Sequence, residues 1–298
     1  MKSLKQALYL MTATICAVIV IPSVDAAPPA PIKVLIVDGQ NNHAWKATTP
    51  VVEKSLKDTG LFTVEVATSP AANSGEIAKF KPVFSNYQVV LSNYNGEPWS
   101  GETKAAFVDF VRNGGGFVCL HAADNSFPEW KEYNEMIGVG GWGGRSEKSG
   151  PYVRFKDGRI VKDNSPGVGG SHGKQHDFIV ETREPNHPIM SGLPAKWLHV
   201  KDELYDRLRG PAENLTILAT AFAVSAQNGS GEIEPMLMVT EFGKGRVFHT
   251  TLGHSVEALQ CVGATTVLQR GTEWAATGKV TQKIPADFPT SEQTKSRE

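Results

Sequence analysis

Short, uninterrupted apolar runs constrain the fold of this chain more than any other feature. Residues 33–37, 87–92 and 117–120 each form such a run, and each ends in polar residues. Apolar runs of strand length without alternation are typical of strands buried on both faces, as in a parallel sheet. Helical patterns at 48–56 and 102–111 separate these runs. Strands that alternate with helices predict an α/β fold with a doubly wound, mostly parallel sheet.

The first residues have the pattern of a secretory signal. Lys2 and Lys5 precede an apolar run over 7–21, and small residues around Ala26 suit a signal peptidase. The run is shorter than the roughly 20 residues that span a bilayer, although an uncleaved anchor stays an alternative. We therefore predict a signal peptide over 1–26, a periplasmic or secreted mature protein, and no stable membrane insertion after cleavage.

The rest of the chain predicts one domain over 32–280, followed by a C-terminal tail over 281–298. A Gly-rich, polar segment from about 142 to 174 interrupts the regular pattern and is interpreted as a loop insertion over one end of the sheet. From Pro289 the sequence is polar, and we expect this end to fray.

Charge and cysteine content exclude several classes of function. The formal net charge is -1, so no basic field is present to attract nucleic acid. Only Cys119 and Cys261 follow the predicted signal, and both lie in apolar runs without metal-type spacing. Two buried free thiols are therefore expected, rather than a disulfide or a zinc-binding cysteine pair.

Polar residues gather where the predicted strands end. His43 closes a polar segment after the first strand, His121 follows the fourth, and His254 follows the last. Because parallel strands end at one edge of a sheet, these imidazoles should meet there. Three histidines that leave an open coordination position are typical of a catalytic divalent metal such as zinc. His43, His121 and His254 are thus the candidate metal ligands.

Proton transfer needs groups beside such a metal. His121, Glu203 and His176 are the candidate catalytic residues. Glu203 lies among apolar and aromatic residues, where partial burial would raise its pKa, although a salt bridge to a nearby arginine is an alternative. His172 and His176 are four residues apart, and His176 precedes an aspartate that could orient it.

Amide, carboxylate and aromatic side chains follow the third strand. Amides and carboxylates bind sugar hydroxyls, and an aromatic face covers the apolar side of a sugar ring. Asn and Gly are also common in tight turns, which is the structural alternative. The candidate substrate-binding residues are Asn93, Tyr94, Asn95, Glu97 and Trp99.

Five motifs in the same order resemble the ThuA-like family of trehalose utilisation. They lie at 114–123, 184–194, 202–205, 243–254 and 270–275. The resemblance implies a flavodoxin-like fold similar to class I glutamine amidotransferase domains. Those enzymes carry a cysteine at the turn where this chain has His121, so their chemistry is not implied. Members of the family are linked to sugar metabolism, including that of 3-keto-glycosides.

Two hypotheses follow for an exported protein whose partner is a small-molecule carbohydrate. The first is a lyase, isomerase or hydrolase that acts on a sugar or 3-keto-glycoside by histidine and carboxylate acid–base chemistry, with metal assistance. The alternative is a non-catalytic sugar-binding module, which needs the amide and aromatic side chains but no catalytic histidine.

Overall fold

The computed structural model describes residues 30–297, so the predicted signal peptide lies outside the described residues. Strands and helices alternate through the first half of this region, and strands dominate the second. In chain order, the elements are β1 (Ile32–Asp38), α1 (Trp45–Lys57), β2 (Phe62–Thr68), β3 (Val89–Ser92), α2 (Gly101–Arg112), β4 (Gly116–Leu120), α3 (Lys131–Ile137), β5 (Tyr152–Lys156), β6 (Arg159–Asp163), β7 (Ser171–His172), β8 (His176–Thr182), β9 (Lys196–Asp202), β10 (Tyr205–Asp206), β11 (Thr216–Phe222), β12 (Ile233–Phe242), β13 (Gly245–Thr250), α4 (Val256–Gln260) and α5 (Val262–Thr277).

A nine-stranded sheet in the order β2-β1-β3-β4-β13-β12-β11-β8-β9 forms the centre of the molecule. The strands from β2 to β13 in this order pair in parallel, and we call them the parallel half. The strands β12, β11, β8 and β9 each pair antiparallel, and we call them the antiparallel half. The predicted α/β fold with a mixed, mostly parallel sheet is confirmed.

The unbroken apolar run of β1 is explained by cores on both faces of the sheet. Val34 and Ile36 pack into one core, to which helices α1 and α5 contribute. Leu35 and Val37 pack into the other core, below α2 and α3. Because side chains alternate between the faces of a strand, a sheet covered on both faces requires apolar residues at every position.

The antiparallel half also buries titratable side chains. His199 and Asp202 in β9 and Glu234 in β12 are fully buried. Strands β12 and β13 form a hairpin whose turn contains Gly243, with φ of 62°. The segment between α3 and β8 holds the β5–β6 pair and β7, which pairs with β10.

The expectation of a frayed C-terminal end is wrong for the described residues. The Leu198 amide donates to the Thr290 carbonyl, and the Val262 amide donates to that of Lys295. Arg297 forms an ion pair with Asp287. These bonds fix the segment after α5 against β9 and the last helices, because backbone groups that pair with a fixed element lose their freedom to fray.

Cys119 and Cys261 are buried free thiols, as expected from their apolar surroundings. Among residues 30–297, no helix is long and apolar enough to cross a membrane.

Candidate functional site

Four side chains meet at the edge of the sheet where the parallel strands end. His43 follows β1, His121 follows β4 and His254 follows β13, as the strand-end argument predicts. Glu203 joins them from the turn between β9 and β10. One donor atom from each of these four residues lies within 4.8 Å of the other three. The structure therefore brings three predicted ligands and one predicted catalytic carboxylate into one cluster.

His121 occupies a strained turn directly after β4. Its φ is 46°, a left-handed conformation that is unfavourable for a side chain with a Cβ atom. The imidazole is buried, and its Nδ1 atom lies 2.6 Å from the Thr251 carbonyl oxygen. A carbonyl can only accept, so Nδ1 carries the hydrogen and the Nε2 lone pair faces the cluster. Strain of this kind is common at functional sites.

Glu203 lies at the centre of the imidazoles. Its Oε2 atom is 3.5 Å from His43 Nε2, 3.7 Å from His121 Nε2 and 3.0 Å from His254 Nδ1. The buried nitrogens His121 Nε2 and His254 Nδ1 nevertheless have no hydrogen-bond partner among the described residues. Buried polar atoms without partners are costly, which favours a ligand shared by these groups.

The donor chemistry fits a divalent transition metal. Imidazole nitrogens and a carboxylate are the ligands that Zn²⁺, Fe²⁺ and Ni²⁺ accept. The Nδ1 atom of His43 lies 3.3 Å from the Asn41 amide oxygen, as the Nδ1 atom of His121 lies against its carbonyl. Such hydrogen bonds orient metal-binding imidazoles and fix their tautomer. The donor types and the hydrogen bonds that orient them therefore fit a metal site.

Asp202 holds two of the donors in place. This buried carboxylate accepts hydrogen bonds from the backbone amides of Glu203 (2.8 Å), Gly253 (2.8 Å) and His254 (3.0 Å). His199 Nε2 lies 2.8 Å from Asp202 Oδ2. Although β12, β11 and β8 separate β9 from β13 in the sheet, Asp202 joins the ends of these two strands.

The ionisation of the cluster follows from its contacts. Burial alone would raise the pKa of Glu203, but the nearby imidazoles of His121, His254 and His43 bring this pKa well below its ordinary value. The expected raised pKa is therefore wrong, because imidazoles rather than apolar groups surround the carboxylate. Burial lowers the pKa of His43 despite Glu203. Burial also lowers the pKa of His199, but Asp202 and Cys261 raise it to about 9.

A cavity of about 370 Å³ opens above the cluster. Its walls combine amide, aromatic and imidazole side chains from several connections. They consist of Asn42, His43, Asn95, Asn125, Trp142, Gly143, His172, Glu203 and Tyr205. A cavity of about 820 Å³ beside α2 is larger, but no histidine or cysteine lines it. We therefore place the chemistry at the smaller cavity.

The structure places His176 outside this pocket, which corrects its candidate catalytic role. Its Nδ1 atom lies 2.8 Å from the Lys174 carbonyl oxygen, and its ring packs 5.8 Å from that of Phe178. His172 lines the pocket instead, with Nε2 3.6 Å from Glu203 Oε1. The spacing of four does not bring the two rings to one site, because the chain bends at Lys174 between β7 and β8. A Cβ atom at Gly173 would lie 2.3 Å from the Gln227 carbonyl oxygen.

Of the five candidate substrate-binding residues, only Asn95 lines the pocket. Asn93 is buried and donates to Thr48 and Thr49 in α1. Glu97 bonds the Gln40 side chain.

Tyr94 and Trp99 are corrected as well, because the connection after β3 folds back into the core. Tyr94 is fully buried, and its hydroxyl donates to the Glu97 carbonyl. Trp99 packs against Phe107 and Phe127. Neither ring can therefore cover a sugar.

Sequence reasoning missed Trp142, Asn125 and Tyr205 and gave His172 no assigned role. Tyr205 lies in the motif 202–205, and its ring is 4.2 Å from that of His121. Trp142 lies in the Gly-rich segment, and its ring is 4.7 Å from that of Tyr205. An isolated aromatic residue between glycines is the signal that could have identified Trp142, since packed cores seldom use such segments.

Comparison with known proteins agrees with the fold and the motifs. Residues 33–275 match the family model of ThuA, described as trehalose utilisation. The crystal structure of a ThuA-like protein from Parabacteroides merdae has a TM-score of 0.88 at 48% identity, covering 90% of this chain and 98% of that one. A ThuA-like protein from Bacteroides uniformis shares the fold, with a TM-score of 0.57 at 18% identity over 86% and 96% of the two chains. No curated protein matches the chain. With the family model spanning most of its length, this chain belongs to the ThuA family of trehalose utilisation.

Proposed function

We propose that this protein is an exported, metal-dependent enzyme of carbohydrate metabolism that acts on a sugar or 3-keto-glycoside. The observation that carries the proposal is the convergence of His43, His121, Glu203 and His254 beneath an open pocket. Membership of the ThuA family supports a carbohydrate as the substrate.

The four donors would hold the metal, which when bound would polarise a carbonyl or hydroxyl oxygen of the sugar. Four protein ligands complete the tetrahedral shell of structural zinc, whereas a catalytic site keeps a position open. For catalysis, these four donors would therefore need an ion that accepts more than four ligands, so that a substrate oxygen could also bind.

His172 is the side chain best placed to move a proton. Its Nδ1 atom lies 2.8 Å from the Gly173 carbonyl oxygen, so Nδ1 carries the hydrogen and the Nε2 lone pair faces the pocket. Its side chain is 38% exposed, which lets it reach a substrate and exchange protons with water. Nε2 would take a proton from a sugar hydroxyl or from the carbon beside a keto group and return it later in the reaction.

The test combines metal analysis with turnover of a 3-keto-glycoside. We expect the purified mature protein to bind one divalent ion per chain. His121→Ala should lose the ion and at least about 100-fold in turnover, since even residues behind metal ligands are worth 10–100-fold. His176→Ala is the matched control, and it should keep both properties.

Two outcomes would contradict the proposal. Full turnover by protein that contains no metal would remove the metal from the mechanism. Tight sugar binding without any product after long incubation would favour the non-catalytic sugar-binding module.

A further inference from the structure

We infer that the pocket receives an uncharged sugar, one ring of which lies against Trp142, rather than a sugar phosphate or a sugar acid. The inference rests on the proposed function and adds the class of substrate. Four features of the pocket carry it: the charge of its walls, the position of Trp142, two polar atoms without a well-formed hydrogen bond, and its size.

The walls of the pocket contain no lysine or arginine, and Glu203 is their one carboxylate. Sites for phosphates and carboxylates usually present arginine, lysine or the amides of a helix N-terminus. A phosphate group in the part of the pocket away from the four donors would meet amide and aromatic side chains, without a lysine or arginine to offset its charge. This arrangement disfavours anionic sugars.

The buried arginine behind the pocket cannot supply the missing charge. Arg145 donates to the carbonyls of Asn125, Ser126 and Gly141 and twice to the Asn134 side chain. These bonds use all five N–H groups of a guanidinium. Arg145 therefore stiffens the wall and has no donor left for a ligand.

Trp142 is held over the pocket by a strained backbone. Its φ is 51°, its amide donates to the Gly169 carbonyl over 2.8 Å, and its carbonyl accepts from the Arg145 amide over 2.9 Å. The indole is only partly buried, unlike that of Trp99, and its ring lies 6.0 Å from that of His172. A fixed aromatic face beside the pocket suits the apolar C–H face of a sugar ring.

Two polar atoms in the pocket wall, which lie near each other, have no well-formed hydrogen bond among residues 30–297. They are the hydroxyl of Tyr205, which is 1% exposed, and Oδ1 of Asn125, which is 9% exposed. At the rim, the Asn95 amide donates to Asn42 Oδ1 over 2.7 Å. Neutral donors and acceptors of this kind match hydroxyl groups, which both donate and accept.

The volume of the pocket suits a small ligand of one or two sugar rings. About 370 Å³ lies near the lower end of the roughly 300–1,000 Å³ of small-molecule sites. The remainder of a larger glycoside would therefore extend past Trp142 and Gly143 into solvent.

Binding measured by calorimetry and tryptophan fluorescence tests this inference without requiring turnover. The probes are methyl 3-keto-glucoside, methyl glucoside and glucose 6-phosphate. We expect at least one neutral glycoside to bind at least about tenfold more tightly than the phosphate ester. Trp142→Ala should weaken that binding about tenfold, the scale of an aromatic contact, whereas Trp142→Phe should retain most of it.

Trp45→Phe is the matched control, because Trp45 lies outside the pocket walls and should leave affinity unchanged. Tighter binding of glucose 6-phosphate, no binding of either neutral glycoside at millimolar concentration, or unchanged affinity in Trp142→Ala would overturn the inference. The protein could bind a glycoside through Trp142 and yet bind no metal. That result would contradict the proposed function and leave this inference standing. Turnover of a sugar phosphate by metal-loaded protein would overturn this inference and leave the proposed metal-dependent enzyme standing.

Discussion

The two halves of the sheet contribute to the site in different ways. The parallel half supplies His43, His121 and His254 from the ends of its strands, and apolar packing on both faces holds those strands. The antiparallel half supplies Glu203 from a turn, and buried charged groups such as Asp202 hold that turn. Strand ends in a packed parallel sheet reach their positions mainly through the fold, although Asp202 also holds the His254 backbone, whereas the carboxylate depends on specific polar contacts throughout.

The largest expected effect follows removal of the Asp202 carboxylate. Asp202→Ala leaves the buried His199 and the backbone amides of Glu203, Gly253 and His254 without their shared partner, which should cost about 3–5 kcal/mol in the free energy of unfolding. It also releases the amides of Glu203 and His254, so metal affinity should fall about 10–100-fold. Urea denaturation and metal titration measure the two effects.

Asp58→Ala is the control for this substitution, because Asp58 forms an exposed ion pair with Lys54 and should change stability by less than about 0.5 kcal/mol. Unchanged metal affinity in folded Asp202→Ala would show that polar anchoring does not position the donors.

A substitution that leaves a void in the core of the parallel half should lower stability without changing metal affinity. Leu91 in β3 is fully buried, so Leu91→Ala should cost about 2–5 kcal/mol in the free energy of unfolding. Metal affinity of the folded variant should stay the same, because no donor depends on this side chain. Val66→Ala, at an exposed position in β2, is the control. A loss of affinity comparable to that of Asp202→Ala would remove the distinction between the halves.

Glu234 in β12 gives the smallest of these effects and a pH dependence. Burial raises its pKa to about 7 from an ordinary value of 4.5, although Ser230 and Arg154 oppose the shift. The folded state binds this proton more tightly, so the contribution to stability is full below pH 4.5 and is lost as pH rises through 7.

Glu234→Gln should therefore equal the wild type near pH 4.5 and exceed it by up to about 3 kcal/mol at pH 8. Thermal or urea unfolding across this pH range measures the difference. Glu102→Gln, which alters an exposed partner of Lys81, should show no such trend. A Glu234→Gln variant that loses stability at pH 8 would mean that this carboxylate is charged and usefully paired.

The parallel half and its histidines could be predicted from the sequence, because a strand buried on both faces is an unbroken apolar run. The first polar residue after that run marks the end of the strand. The same reasoning failed for Trp99, since a strand-end rule does not show whether the following loop turns outward or back into the core. It also failed to separate His172 from His176, because the path of the chain between them depends on contacts with the distant Gln227 carbonyl. Asp202 and Glu203 are adjacent carboxylates, but Asp202 binds backbone amides and His199 whereas Glu203 faces the pocket. Only the tertiary contacts of β9 decide which of the two enters the site.

The long path from β13 through β12, β11 and β8 to β9 makes the donor set an indicator of complete folding. A chain with only its parallel half in place could bring the three histidines together, but Glu203 would still be distant until the last edge strand docked. The four donors lie far apart along the chain, and contacts between remote segments form late, because the loops between them must close first. The affinity for an ion should therefore rise in the final step of folding, and local opening of the β8–β9 edge should abolish it while most amides stay protected from hydrogen exchange.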